Sequence, residues 1–489
     1  MHILFLNPQG NFDPQDKYWT EHPDFGGQLV YVKEIALAMS ELGHTVDIVT
    51  RRFEDDKLSG FEAEVDQYPG YPMARIIRIK AGPNAFIEKE KLWPYIDEWV
   101  DGIEAYYQGT PVDFITTHYG DGGYAGALLS HKLNVPFSFT GHSLGAQKMD
   151  KLNVNAENML SMQARYYFAD RLLAERIAVD HASIIFTSTE QEKDEQYFHH
   201  AYQDISSLKK ESFVIAPPGV NEKVFGNAVK NEEEATTYQA MEATLNRDID
   251  ASRLNLPSIV LASRLDQKKN HIGLLKAYAQ DVSLQAKANV VISLRGVENA
   301  FNSYQMLKPE EKALMDELMA VIQTHQLNGK VSFINIMSQG ALAASYRYFA
   351  KNQSLFCLTS TYEPFGLAPI EAMCAGLPAA VTQYGGPADV LQSGSERFGV
   401  LLDVNDLNDI AQGLHEIIDH HAYYQQQGLK RVETSYTWKA TAQKYLDAIQ
   451  ALPAFSPRPL PESRPAQCDP VSVLNAHYLG GLHGTKHPD

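Results

Sequence analysis

The feature that most restricts this chain is an alternation that runs through twice: short β-branched runs separated by longer stretches with helical spacing. Strands that alternate with helices in this way build parallel sheets covered on both faces. In the first half, the runs at 3–6, 46–50, 75–79, 114–117, 137–140 and 184–187 read as strands. Between the first two lies a helix over 29–42, with Leu29, Val32, Ile35, Ala36, Met39 and Leu42 on one face and Gly43 as its stop. The second half restarts the pattern at 258–262 and continues with 289–294, 331–335, 354–358 and 379–381. At 489 residues the chain exceeds one core, given roughly 150 residues per domain. The break falls at Ala216-Pro217-Pro218-Gly219-Val220, because paired prolines and a glycine continue neither a helix nor a strand. Two doubly wound α/β domains are expected, at 1–217 and 218–437, followed by a last helix at about 438–452. The acidic residues 232–234 belong to a solvated helical insertion. The proline-rich tail 453–489 reads as poorly ordered.

Charge and cysteine content narrow the class of partner. A net charge of −18 argues against general binding to nucleic acid or to an anionic membrane, while leaving room for a local basic cleft that holds a small anion. Three cysteines, Cys357, Cys374 and Cys468, make no disulfide framework and no CxxC pair, which fits a reduced, cytoplasmic setting. The start, MHILFLNPQG, reads as a first strand and not as a leader peptide, and no apolar run reaches the length of a membrane helix.

Four segments carry candidate chemistry. Asp24-Phe25-Gly26-Gly27-Gln28 lies between a strand and a helix, where glycines admit a ligand to the backbone and a helix N-terminus favours an anion. It lacks the GxGxxG of a dinucleotide site. The second segment, Thr140 to Lys148, follows a strand, and ligands in open α/β sheets bind at the carboxyl ends of strands. There His142, Ser143 and Lys148 are suited to sugar hydroxyls and a phosphate. Gly141-His142-Ser143-Leu144-Gly145 also matches the Gly-x-Ser-x-Gly of a hydrolase nucleophile elbow, a competing reading that needs an acid and a late histidine. The late histidines are His415, His420, His421, His477, His483 and His487, in a polar helical pattern or in the tail.

Third, Ser263 to Asn270 follows the first strand of the second half, with Arg264 and Lys269 suited to a diphosphate, one as a planar fork and the other as a point charge. Fourth, Tyr362-Glu363-Pro364-Phe365-Gly366-Leu367 opens a helix that carries Glu371, closed by Gly376-Leu377-Pro378. The loop amides form an anion site, and the two carboxylates bracket a ligand through sugar and ribose hydroxyls. Asp248-Ile249-Asp250 is a formal DxD, but with no strand before it the stretch reads as solvated acid and no metal site is expected.

At these motifs the sequence resembles the retaining glycosyltransferases of family 4, of GT-B fold. Asn7-Pro8-Gln9-Gly10, the Gly26-Gly27-Gln28 turn, Thr117-His118-Tyr119-Gly120-Asp121-Gly122-Gly123, the Gly141 and Lys148 segment, Arg171 with Ala174-Glu175-Arg176, and the Arg264 and Glu363 segments carry the resemblance, over about 1–452. The Gly-His-Ser-Leu-Gly and His-Tyr-Gly-Asp-Gly-Gly segments are similar to the sucrose subgroup. The resemblance implies two Rossmann-like domains facing across a cleft, the terminal helix returning to the first. It implies that the first domain binds fructose 6-phosphate and the second a nucleotide sugar, UDP-glucose above others, with glucose transferred at retained configuration to give sucrose 6-phosphate. Gly26, Gln28, Lys89, Tyr119, Ser143, Lys148 and Arg171 are then the acceptor residues, with Lys89, Lys148 and Arg171 near the phosphate and Lys91 as the rival to Lys89. Gly27, Phe365, Gly366 and Leu367 meet the donor. Arg264 and Lys269 neutralise its diphosphate, Glu363 meets its sugar, Glu371 its ribose, and His142 positions the sugar. No cofactor is required, magnesium is at most stimulatory, and a separate phosphatase is the partner that takes the product. The resemblance also leads us to expect no appended phosphatase-like domain and no long N-terminal extension. Alternatives are transfer from GDP-mannose, transfer to free fructose, and a non-catalytic sugar-phosphate sensor. The donor base is to be read by loops around Gly296-Val297-Glu298 and Ile336-Met337-Ser338, where side chains carry no legible preference.

Overall fold

The computed structural model describes residues 1–9, 11–18, 27–363 and 365–480. The chain divides into two compact units, Met1–Pro218 with Thr441–Asp489, and Gly219–Ala440. The first is built on eight strands: β1 (His2–Leu6), β2 (Thr45–Arg52), β3 (Val65–Gln67), β4 (Ala74–Lys80), β5 (Phe114–His118), β6 (Phe137–Thr140), β7 (Ile184–Thr187) and β8 (Phe213–Ile215). Their order is β3-β4-β2-β1-β5-β6-β7-β8. All neighbours are parallel except β3, which runs antiparallel to β4. Strands β5 and β6 are buried on both faces, which is why FITTH and FSFT read as unbroken runs and not as alternating ones. From β1 the chain winds outward to β2 and β4, then crosses back to β5, so the winding reverses between β1 and β5. At that point the loops after two adjacent strands diverge and leave a crevice.

Glycines bring the helix Tyr119–Leu133 up to this crevice. A Cβ on Gly122 would stand 2.8 Å from the Leu6 carbonyl oxygen, and one on Gly123 would stand 2.6 Å from Ala178 Cβ. The GDGG run therefore lets the helix start against the end of β1 and against the helix Phe168–His181. The helix Trp438–Gln450 packs on this same unit through Tyr445. Its ring stacks on Phe186 at 3.5 Å, and its hydroxyl lies 3.0 Å from those of Tyr31 and Thr140.

The second unit repeats the winding with β9 (Ser258–Leu261), β10 (Asn289–Leu294), β11 (Val331–Asn335), β12 (Leu355–Leu358) and β13 (Ala379–Thr382). A hairpin of β14 (Gln392–Ser393) and β15 (Glu396–Arg397) precedes the last strand, β16 (Val400–Leu402). The parallel order is β11-β10-β9-β12-β13-β16, with its reversal between β9 and β12. Ile259 and Leu261 point into the core on one face and Val260 into that on the other. No helix among the described residues is long and apolar enough to cross a membrane.

Two expectations are corrected. The DxD stretch is not solvated at its first member. Asp248 ends the helix Glu234–Asp248, is buried, and accepts from both sides of the Arg247 guanidinium (2.6 and 2.9 Å) and from Ser332 Oγ (2.8 Å), tying the insertion to β11. Nor is the tail poorly ordered over 453–480. The helix Pro470–Leu474 and the turn Asn475–Leu479 bury Val473, Leu474, Tyr478 and Leu479 in the first unit's core. Upstream of them, Ala466 N donates to Asp170 at 2.6 Å and Arg464 pairs with Asp97 at 3.3 Å. The docked apolar cluster is too short to show a period, and the extended stretch before it is held by single polar contacts. Residues 481–489, with His483 and His487, lie outside the described residues.

Tyr478 is 1% exposed and its hydroxyl donates to Asp150 at 2.7 Å. Tyr478→Ala is expected to destabilise the first unit by about 3 kcal/mol, the lower end for emptying an aromatic site. Tyr478→Phe should lose only about 1 kcal/mol. Urea unfolding of the full chain measures both, and an unshifted Tyr478→Ala midpoint would mean that the tail is not docked.

Candidate functional site

The crevice of the first unit holds a cavity of about 300 Å³. The loop after β1 supplies Gln9, and the start of the helix Gly27–Glu41 supplies Gly27 and Gln28. Gln28 is oriented by donating from Nε2 to Asn7 Oδ1 at 2.6 Å. Lys89, Glu90 and Trp93 come from the turns after β4, while Tyr119, Gly120 and Asp121 come from the end of β5. Ser143 and Lys148 follow β6, and Tyr166 and Arg171 arrive from two further helices. Of the acceptor residues singled out in sequence, the cavity gathers Gln28, Lys89, Tyr119, Ser143, Lys148 and Arg171, and Gly27 joins them. Gly26 lies outside the described residues. Lys89 lines the cavity, whereas Lys91 is exposed and pairs with Glu88 at 2.8 Å.

Three cations meet here, and their surroundings differ. Burial alone would lower Arg171, but the Glu175 carboxylate, 2.8 Å from Arg171 Nε, outweighs it and raises the guanidinium above its ordinary value. Glu175 is fully buried. It also accepts from Gly145 N at 2.9 and 3.0 Å and from the Tyr202 hydroxyl at 2.5 Å. Lys148 is held below its ordinary value by burial and by the nearby charges of Arg171 and Lys89, with Nζ 4.4 Å from the centre of the Tyr166 ring. Two carboxylates share the space, Glu90 and Asp121. Burial pushes Asp121 up to about 6, against the pull of backbone N–H groups, Arg171 and Lys89.

His142 stands beside the cavity, its ring 5.7 Å from that of Tyr119 and its φ at +56°. The hydrolase reading fails on geometry. The left-handed residue is His142 and not Ser143, both Ser143 O (2.5 Å) and Ser143 Oγ (3.3 Å) accept from Arg171, and no histidine among the described residues is hydrogen-bonded to Ser143 Oγ as a base. In the second unit, His415 is engaged by Asp281 and His421 by the Ser354 carbonyl.

The second unit's reversal carries the other cluster. The loop after β9 is tied to the loop after β12 by Thr361 N donating to the Lys268 carbonyl at 2.8 Å. Lys269 Nζ meets Glu363 Oε2 at 2.5 Å, and Ser360 Oγ donates to the same oxygen at 3.3 Å. Glu363 is fixed through its backbone, donating to Tyr384 O and accepting from Gly386 N. Gly385 makes this possible: at φ +103° its Cβ would fall 2.1 Å from the Glu363 carbonyl oxygen. Gly366 at φ +80° opens the helix Leu367–Cys374, next to Phe365 and Leu367; Pro364 lies outside the described residues. Glu371 lies on that helix, its carboxyl pushed up to about 7 by burial. The Arg264 side chain is exposed and has no hydrogen-bond or ion-pair partner among the described residues. Among the described residues no group of three or more His, Cys, Asp or Glu is arranged to hold a metal ion.

Gln9, Glu90, Trp93, Gly120, Asp121 and Tyr166 line the cavity without being singled out in sequence. Gln9, Gly120 and Asp121 stand inside quoted motifs and could have been found there; Trp93 and Tyr166 carry no local signal.

A family model described as "Sucrose synthase first GT-B domain" matches residues 1–246, and one described as "Glycosyl transferases group 1" matches residues 243–430. A probable sucrose-phosphate synthase of Thermosipho melanesiensis is 39% identical over 454 residues, 92% of this chain and 96% of that protein. The chain belongs to the sucrose-phosphate synthase family. It spans about half the length of the plant members it matches: that of Zea mays, 28% identical, is covered over 48% of its length by 94% of this chain. The fold is GT-B, as in the sucrose-phosphate synthase of Thermosynechococcus elongatus (24% identity, 92% of this chain, 98% of that one, TM-score 0.57). Anabaena HepE in complex with UDP shares it too (15% identity, 92% and 100%, TM-score 0.56).

Asp121 gives a pH test. Its folded value stands above that of a free carboxyl, so the unfolded chain ionises first and stability falls as pH rises from about 4 through about 6. Asp121→Asn removes this fall. Its gain is expected to be absent near pH 4 and about 3 kcal/mol above pH 7, given about 1.4 kcal/mol per unit. Urea unfolding at both pH values checks it, and an equal effect at both would contradict the assignment.

Proposed function

We propose that the chain transfers glucose from a nucleotide sugar, UDP-glucose above others, to fructose 6-phosphate, giving sucrose 6-phosphate with retained configuration. The observation that carries this reading is the convergence of Lys89, Lys148 and Arg171 on one cavity with Gln28, Ser143, Tyr119 and Asp121. Three cations suit a phosphate, and the amide, hydroxyls and carboxylate suit sugar hydroxyls. Membership of the sucrose-phosphate synthase family supports the choice of acceptor, and the UDP held by HepE supports the donor class. On this reading the first unit, with Gly26 among its residues, holds the acceptor, and the second unit holds the donor.

In the second unit Arg264, Lys269 and the amides opening the helix at Gly366 and Leu367 meet the leaving diphosphate, with Gly27 and Phe365 also on the donor side. Glu363 accepts from the glucosyl hydroxyls, Glu371 from the ribose, and His142 positions the sugar. No protein nucleophile is needed. The leaving phosphate oxygen takes the proton of the attacking hydroxyl on the same face, and preorganised cations stabilise the charge that develops. Because protein cations meet the diphosphate, no metal is required, and magnesium stimulates at most. A separate phosphatase takes the product. Cys357 and Cys374, buried thiols that burial keeps protonated, fit a cytoplasmic setting.

The test offers UDP-, ADP- and GDP-glucose and GDP-mannose against fructose 6-phosphate and free fructose, following nucleotide release with and without a chelator. Disaccharide phosphate from a glucose donor and fructose 6-phosphate alone, insensitive to chelation, is the expected result. Preference for GDP-mannose, or for free fructose, would overturn the donor or the acceptor assignment. Lys148→Ala is expected to raise KM for fructose 6-phosphate about tenfold or more with the donor KM little changed, because it removes a charge-assisted contact. Arg264→Ala should lower kcat about 100-fold, as when one preorganised donor to a developing oxyanion is lost. Near-normal turnover would sink its diphosphate role.

A further inference from the structure

His118, at the end of β5, is buried, as is most of the ground around it. Its ring lies parallel to Phe5 with centroids 5.9 Å apart and at a tilt to Tyr31 at 5.8 Å. Its Nδ1 stands 2.9 Å from His142 Nε2, and the two imidazoles stack at 5.1 Å. The other nitrogen, His118 Nε2, is buried with no hydrogen-bond partner among the described residues. Burial drives both rings to the neutral form, His142 down to about 3 and His118 well below its ordinary value. Two neutral imidazoles that share one hydrogen bond have two arrangements. Either His118 Nδ1–H donates to the His142 Nε2 lone pair, or His142 Nε2–H donates to His118 Nδ1.

The orphaned nitrogen separates them. In the second arrangement His118 carries its proton on Nε2, leaving a buried N–H with nothing to receive it. In the first, His118 Nε2 is a bare buried lone pair. Orphaned donors are the rarer and costlier of the two in folded proteins. The first arrangement obliges His142 to carry its proton on Nδ1, the nitrogen that has no partner among the described residues on a ring that is partly exposed.

The backbone points the same way. Ser143 N returns to the Gly141 carbonyl at 2.6 Å, closing a tight turn with His142 at its centre and φ at +56°. A non-glycine residue persists in that region when its surroundings over-determine it, commonly at functional sites. Here Arg171 holds the Ser143 carbonyl on one side and His118 holds the ring on the other.

We propose that His118 is a positioning residue that fixes the tautomer of His142, presenting its Nδ1–H as a hydrogen-bond donor to an oxygen of the donor sugar. The catalytic part of this rests on the reading of His142 given above; the tautomer assignment does not.

The experiment is long-range proton–nitrogen correlation on the full chain labelled with 15N in histidine, at neutral pH, with His118→Leu and His142→Asn spectra for assignment. Both rings are expected to be neutral, with the proton on Nδ1. A proton on His142 Nε2 would overturn the proposal. Kinetics form the second arm. His118→Asn, whose amide nitrogen stands where Nδ1 stood, is expected to lose no more than about tenfold in kcat/KM for the nucleotide sugar. His118→Leu should lose about 100-fold, at an unchanged KM for fructose 6-phosphate. Equal losses in the two variants would also overturn it. Absence of transfer by the unaltered chain with every donor would defeat the synthase reading alone, and the spectrum would still decide the tautomer.

Discussion

One buried carboxylate organises the cationic side of the first unit's cavity. Glu175 has no solvent exposure and is met by Arg171 Nε, by the Gly145 amide and by the Tyr202 hydroxyl. Burying an ion pair costs several kcal/mol unless its remaining lone pairs are satisfied, and here each oxygen has donors. Three things are fixed in consequence. The helix Gly145–Lys151 is seated with Lys148 toward the cavity. The Arg171 fork is turned so that its far nitrogen reaches Ser143 O. The turn bearing His142 is closed from below. A Cβ at Gly145 would come within 3.1 Å of Glu175 Oε2, so the glycine there serves approach to the carboxylate.

Both sheets reverse their winding at an inner pair of strands, β1 with β5 and β9 with β12, and both place their polar side chains at the carboxyl ends of those strands. The electrostatics diverge. The first unit sets Lys89, Lys148 and Arg171 against Glu90 and Asp121, and burial keeps Asp121 partly protonated near pH 6. A chain of net charge −18 therefore contains a cavity whose local balance favours an anion. The second unit instead closes Lys269 onto Glu363.

The strands were legible because they are buried on both faces and leave unbroken apolar runs; most boundaries fall within a residue or two of the sequence reading. Those it lacks, Val65–Gln67, Phe213–Ile215, Gln392–Ser393, Glu396–Arg397 and Val400–Leu402, are two or three residues long and carry no period. Residues that follow closely on a strand end, such as Tyr119 and Ser143, can be found from sequence because topology alone brings them together. Trp93 and Tyr166 cannot, since they reach the cavity from segments whose position is set by tertiary packing. Glu175 stands inside a recognisable motif, yet its role appears only when the Gly145 amide and Arg171 are seen converging on it. Asp248 misleads for the opposite reason: its neighbours in sequence are polar, and the serine that buries it comes from β11.

The Lys269–Glu363 pair bears on how a donor is recognised under the proposed reading. With that pair closed, the cations of the loop after β9 left without an ion-pair partner among the described residues are Arg264 and Lys268, helped by about half a charge at the start of the helix Leu367–Cys374. On that reading a bound diphosphate competes with Glu363 for Lys269 Nζ. The carboxylate is then left near a helix N-terminus with Ser360 Oγ as its remaining side-chain donor. Hydroxyl groups of a sugar attached to the diphosphate supply the donors that Lys269 withdraws. A nucleotide alone leaves Glu363 under-satisfied, and a free sugar leaves the diphosphate cations unused. On the proposed reading, recognition of the two halves of a nucleotide sugar is linked through the Lys269–Glu363 pair, which favours the intact donor over either fragment.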